Sequence, residues 1–120
     1  MLVKTWWKAA ILCAWGAAAL IPSAVHADQT AAGMALAQRK ACMGCHQVDV
    51  KRVGPPLRSI GERYAAGDDK DAAVQYLAGK IRSGGQRVWG AVPMPAQGQV
   101  SEQEARELAQ WILTLPASRP

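Results

Sequence analysis

Cys42, Cys45 and His46 have the types and spacing to do chemistry, and they stand in one run, Cys42-Met43-Gly44-Cys45-His46. Two thiols three positions apart on a tight helical turn reach the vinyl groups on adjacent pyrrole rings of a porphyrin. They add across those vinyls as thioethers. The next residue then aims an imidazole at the iron, for which imidazole is a good ligand. Cys-X-X-Cys-His is thus the pattern of covalent c-type haem attachment. One such run implies one haem c, attached through Cys42 and Cys45.

The same residue types serve two other chemistries. A zinc site needs about four ligands, and beyond residue 27 the chain has no other Cys or His. A redox-active thiol pair usually sits in a βαβ setting, and no stretch of this chain alternates as a half-buried strand does. The haem reading is the one that the surroundings support.

An iron held by His46 on one side raises the question of the other side. His26 falls in the expected leader described below, so His46 is the only histidine left to the mature chain. The candidates are Met34, Met43, Met94, a lysine, or no ligand at all. Met43 lies within the attachment loop, tied to the same side as His46. Met34 lies on the stretch leading into Cys42, where a core role suits it. Met94 lies far along the chain, where Pro93 and Pro95 fix the backbone on both sides of it. Met94 is therefore favoured, with His46 and Met94 as the metal ligands. Such a pair fills both axial positions, favours the reduced iron relative to two histidines and leaves no site for a substrate. That chemistry carries electrons without making bonds, so no enzymatic activity is expected.

The attachment chemistry takes place outside the cytoplasm, and the first residues agree. Lys4 and Lys8 make a positive end without acids, residues 9–21 are apolar, Pro22 breaks the run, and Val25-His26-Ala27 presents small residues. This is the layout of a secretory signal peptide. Residues 1–27 are expected to be cleaved and residues 28–120 to form one haem-binding domain. The apolar stretch is shorter than the roughly 20 residues a membrane helix needs, so no permanent membrane insertion is expected. Leu12 before Cys13 does not suit a lipoprotein site.

The chain has 120 residues, a formal charge of +5 and a pI of about 9.5. Losing Lys4 and Lys8 lowers the charge to +3, and haem propionates lower it further. There is no dense Lys/Arg block, so nucleic acid is not an expected partner; an acidic patch on another protein is. The mature chain is short enough to have a small core. It has no Phe, and a covalently held macrocycle supplies apolar bulk and a staple together.

The elements that must position these residues read as helical. Residues 30–40 are rich in helix formers and run into Cys42. Gly54-Pro55-Pro56 breaks the chain, and Pro56 can open a short helix to Tyr64 with Leu57, Ile60 and Tyr64 on one face. Gly67-Asp68-Asp69 is a turn with cap candidates. A third helix reaches about Arg82 with Ala73, Leu77 and Ile81 in register, and Gly84 stops it. Residues 84–99 are irregular. Ser101-Glu102-Gln103-Glu104 is a capping box; it opens a last helix with Ala105, Leu108, Ile112 and Leu115 as its apolar stripe, ended by Pro116. The expected class is all-α, with about four short helices around one haem.

Taken together, these residues resemble the small bacterial monohaem class I cytochromes c of the cytochrome c-551 type, over residues 28–117. The resemblance rests on the Cys42–His46 run, on Lys51-Arg52-Val53-Gly54-Pro55, on Val88-Trp89-Gly90-Ala91-Val92-Pro93-Met94-Pro95, and on the closing helix at 105–115. It implies the cytochrome c fold, with the first and last helices crossing near 32–36 and 108–111 and Trp111 structural. It implies that a carbonyl at Pro55 accepts from His46 Nδ1, and that the Trp89 indole meets a haem propionate. Where this type commonly has an Asn near the methionine sulfur the chain has Gln97, and where some members have a propionate-binding Arg it has Lys80, with Arg82 nearby.

The resemblance further implies a monomeric periplasmic carrier between a membrane quinol-oxidising complex and a terminal reductase or oxidase. Such a carrier docks transiently on redox protein partners, with Lys51, Arg52 and Arg87 as candidate docking charges. Two other readings remain open: a haem subunit held permanently in a redox enzyme complex, and a ligand-binding haem protein in which Met94 detaches.

Overall fold

The computed structural model describes residues 23–115, so the expected leader and the stop at Pro116 lie largely or wholly outside the described residues. Four helices follow in order: α1 (Ser23–Arg39), α2 (Leu57–Ala65), α3 (Lys70–Ser83) and α4 (Glu102–Thr114). A three-residue 3-10 turn, Cys42–Gly44, stands between α1 and α2. Among the described residues there is no strand, only one antiparallel bridge between Gly85 and Met94. The all-α expectation holds. Helix α1 begins at Ser23, ahead of the expected start near Thr30, and Pro56 is the cap of α2, with Leu57 its first residue.

Local chemistry sets the helix ends. Asp69 caps α3 by accepting from the Ala72 amide at 2.9 Å. Ser101 and Glu104 form both halves of the capping box on α4: the Glu104 amide donates to Ser101 Oγ at 3.2 Å and the Ser101 amide to Glu104 Oε2 at 2.9 Å. Such a cap is worth about 1 kcal/mol. Gly84 ends α3 at φ +76°, and its amide donates to the Lys80 carbonyl.

Helix α4 is the hub, touching α1, α2 and α3. Its stripe Ala105, Leu108, Trp111, Ile112 is buried, with Leu115 closing the end. Leu36 and Ala37 from α1, Leu57 from α2, and Val74, Leu77, Ala78 and Ile81 from α3 complete the core. Full burial of a side chain such as Leu108 contributes about 1.5–3 kcal/mol. Two glycines let the backbones approach. A Cβ on Gly33 would lie 2.1 Å from Trp111 Cγ, and one on Gly61 would lie 2.3 Å from the Ile112 carbonyl oxygen. The α1–α4 crossing thus falls within the expected stretch, at Gly33 and Trp111. No described helix is long and apolar enough to cross a membrane.

Candidate functional site

The site grows from the end of α1. Ala41 turns the chain with φ +60°, and the 3-10 turn that follows bonds Cys45 and His46 amides to the Cys42 carbonyl at 3.2 and 3.0 Å. That turn sets both thiols and the imidazole on one short piece of backbone. The segment is then clamped by the chain ahead of α2. The Gly54 amide donates to the Cys45 carbonyl at 2.8 Å, and the Leu57 amide to the Gln47 carbonyl at 2.9 Å. His46 sits between these two bonds.

The His46 ring is buried, and its Nδ1 lies 2.8 Å from the Pro55 carbonyl oxygen. That carbonyl can only accept, so Nδ1 carries the proton and Nε2 keeps its lone pair for a metal. Gly54 packs on the ring: a Cβ there would come within 2.5 Å of Cε1.

Cys42 is half-buried and Cys45 exposed. Burial pushes the Cys42 thiol up, against a smaller opposing effect of its backbone hydrogen bond. The nucleophile of a redox-active pair is instead lowered. Among the described residues no group of three or more His, Cys, Asp or Glu could hold a metal, which leaves the zinc reading without ligands.

Beside His46 opens a cleft of about 250 Å³. Its floor is apolar and drawn from every helix: Ala37, Leu57, Ile60, Leu77, Ile81, Leu108 and Ile112. Cys42, Cys45 and His46 line it from the attachment segment, and Trp89, Met94 and Gln97 from the irregular stretch after α3. Of the described methionines Met94 lines the cleft, while Met34 and Met43 pack against the core away from it. Met94 is held by its backbone, with paired Met94–Gly85 hydrogen bonds of 2.9 and 3.0 Å. A Cβ on Gly84 would meet the Met94 carbonyl oxygen at 2.4 Å, so the glycine that ends α3 also admits the Met94 segment.

The remaining expected residues divide. Lys80 lines the cleft, whereas Arg82 lies on a separate groove with Glu102 and Arg106. Lys80 Nζ stands over the Tyr76 ring at 5.5 Å. Gln97 lines the cleft, but its side-chain amide donates to the Pro95 carbonyl at 2.8 Å and its oxygen accepts from Gln99 at 2.8 Å. No hydrogen bond joins Gln97 to the Met94 sulfur among the described residues. Trp89 is 37 % exposed at the cleft. Arg87 borders it, and Lys51 and Arg52 are exposed in the turn before Val53.

A haem fits these residues. The lining is apolar, and Val53 and Val92, both more than half exposed, add apolar surface at its edge. Among the described residues the buried Trp111 Nε1 on the cleft finds no hydrogen-bond partner. A flat apolar macrocycle would cover the apolar lining while thiols and imidazole stand ready beside it. Sequence reasoning missed Gly54, Tyr64 and Tyr76 at this site. The approach of Tyr64 and Tyr76 depends on how α2 and α3 pack, and the one local signal was a glycine directly before Pro55.

Comparison with known proteins agrees with the geometry. The Cytochrome c family model matches residues 30–116. The chain is 52% identical over 80 residues to cytochrome c-552 of Nitrosomonas europaea, covering 67% of this chain and 75% of that one. It is 50% identical over 86 residues to cytochrome c-552 of Hydrogenobacter thermophilus, covering 72% and 84%. The crystal structure of wild-type Nitrosomonas europaea cytochrome c552 superposes with a TM-score of 0.64 at 49% identity, over 69% of this chain and 99% of that one. With attachment run, cleft and fold in agreement, the chain belongs to the cytochrome c family, as a small class I monohaem c-type cytochrome whose haem c is attached covalently through Cys42 and Cys45.

Proposed function

We propose that this cytochrome is a periplasmic one-electron carrier whose iron is held by His46 and Met94. Cytochromes of this family transfer electrons; the ligation, compartment and partners are the proposal. The observation that carries it is that His46 has Nδ1 engaged by Pro55 while Met94 lines the same cleft. When bound, the haem supplies a one-electron couple at its iron. The chain's own residues do the rest. Pro55 orients the imidazole and raises its basicity. Met94, presented between two prolines and paired with Gly85, supplies a thioether. The apolar floor excludes water, which favours the less charged, reduced site.

At the cleft's edge Trp89 and Lys80 are the groups placed to meet propionates, by an indole N–H and an ammonium. Gln97, committed to Pro95 and Gln99, supports the Met94 segment through its backbone. Residues 1–27 act as the cleaved export signal. The mature monomer then passes electrons between a membrane quinol-oxidising complex and a terminal reductase or oxidase. Lys51, Arg52 and Arg87 favour brief encounters with acidic redox proteins, in the manner of electrostatically steered association.

A spectroelectrochemical titration of the mature haem protein tests this reading. A single reversible one-electron wave, with no binding of oxygen or carbon monoxide to the reduced form at neutral pH, is expected. Ready binding of carbon monoxide would show an open axial position and contradict the carrier.

A further inference from the structure

The segment that carries Trp89 toward Met94 has little backbone support. Among the described residues no backbone–backbone hydrogen bond reaches residues 86–92; the nearest are the Gly85–Met94 pair at its base. Two of its residues, Arg87 at φ +59° and Gly90 at φ +127°, turn the chain in the left-handed region. Something else must hold it beside the cleft. Arg63, in the last turn of α2, reaches across to it. Its guanidinium carbon stands 4.9 Å from the centre of the Trp89 ring, and Nη1 donates to the Val88 carbonyl at 3.4 Å. The same guanidinium lies 5.6 Å from the centre of the Tyr64 ring, which in turn contacts Tyr76 of α3 at 5.1 Å. Arg63 thus stands between the Tyr64–Tyr76 pair and Trp89.

We infer that Arg63 is a positioning residue: it fixes Trp89 and Val88 from α2 and so holds the 86–92 segment, and with it Met94, over the cleft. A planar guanidinium can stack on an indole and donate to a carbonyl at once, because its N–H groups lie in the plane that stacks. The arrangement couples α2, which also carries Leu57 beside the His46 clamp, to the segment that ends in Met94. The link to Met94 rests on the ligation proposed above; the hold on Trp89 does not.

The experiment uses the mature haem-loaded protein and Arg63→Ala, Arg63→Lys, Trp89→Leu and the Arg63→Ala/Trp89→Leu pair. Backbone order parameters from NMR relaxation are read at residues 86–92 and at the Trp89 indole. Uptake of imidazole, which must displace the ligand facing His46, is read in the oxidised state. Arg63→Ala is expected to lower the order parameters at 86–92 and to speed imidazole uptake by about two- to five-fold, the factor that an exposed cation–aromatic contact supports. Order parameters of α4 stay unchanged. Arg63→Lys restores part of the order, since it keeps the charge and loses the planar fork. In the Trp89→Leu background Arg63→Ala adds little. Unchanged order at 86–92 in Arg63→Ala overturns the inference, as does an undiminished effect without Trp89. Lowered order with unchanged imidazole uptake overturns the link to Met94. A wild-type protein lacking sulfur ligation refutes the ligation reading instead, and the order parameters still decide the role of Arg63.

Discussion

Gly54 and His46 are in contact so close that a methyl group on the glycine would stand 2.5 Å from the ring carbon Cε1 and 2.8 Å from Nδ1. The ring cannot retreat, because Nδ1 is tied to the Pro55 carbonyl and the backbone on both sides is bonded to residues 54 and 57. Gly54→Ala is therefore expected to destabilise the haem-loaded protein by about 1–3 kcal/mol, as overpacking does. Denaturant unfolding checks this, and the reduction potential should shift with the disturbed imidazole. A fully wild-type potential and midpoint would mean that the ring is free to move.

The helix glycines should divide by environment. In Gly61→Ala the new methyl meets the Ile112 carbonyl, a backbone atom of the hub helix that cannot turn aside. A loss of about 1–3 kcal/mol is expected. Gly79, exposed in α3, has nothing within 4 Å of a built Cβ. Gly79→Ala should therefore stabilise by about 0.5–1 kcal/mol through helix propensity. Thermal unfolding of both variants gives the two signs side by side.

Ala41 is the residue that turns α1 into the attachment segment, at φ +60°. The left-handed region costs an alanine about 1–2 kcal/mol, and glycine gives back part of that gain through its freer unfolded chain. Ala41→Gly is expected to raise stability by up to about 1 kcal/mol without altering the haem spectrum. A loss of stability would show that the turn relaxes elsewhere.

How far this much was legible in the sequence follows from the range of each interaction. The attachment run, the Asp69 cap and the Ser101–Glu104 box act within three or four residues, and their residue types name them. The place of Met94 on the cleft was reachable because one histidine follows residue 27 and two prolines flank that methionine. The Gly33–Trp111 and Gly61–Ile112 contacts join segments far apart in sequence. For them the only local hint was a glycine inside a helical pattern, which costs stability unless something needs the space. The Gly54–His46 contact spans only the loop between the attachment turn and α2, where the Gly-Pro-Pro run named a break and not the ring packed on it. The Arg63–Trp89 contact carried no hint at all, since neither residue's neighbours foretell that α2 ends beside residue 89. Helix α1 begins earlier than its run of alanines suggested, because weakly patterned residues such as Ser23 and Asp28 extend a helix already nucleated beyond them.

Glu104 joins the ends of the fold. It lies 2.8 Å from Lys40 Nζ, while Lys40 also donates to the Gln99 carbonyl at 3.2 Å. The Lys40 hydrogen bond, and after it the Ser101 amide, hold the Glu104 carboxyl below the usual carboxylate range. A lowered carboxylate contributes stability that is present above its unfolded pKa and is lost as pH falls through the folded one. Glu104→Gln keeps the capping geometry and removes the charge. It should lower the melting temperature modestly at neutral pH, less at high salt, and the difference from wild type should close on acidification below the carboxylate range. A difference that persists in acid would assign the effect to the cap.

The central claim is that Met94 faces His46 across the iron. The direct measurement is the absorption spectrum of the oxidised, haem-loaded protein in the far red, where a thioether bound to iron(III) gives a sulfur-to-iron charge-transfer band. The account predicts that the wild type shows this band, that Met34→Leu retains it and that Met94→Ala abolishes it with a lowered reduction potential. Absence of the band from the wild type, or its survival in Met94→Ala, would contradict the account.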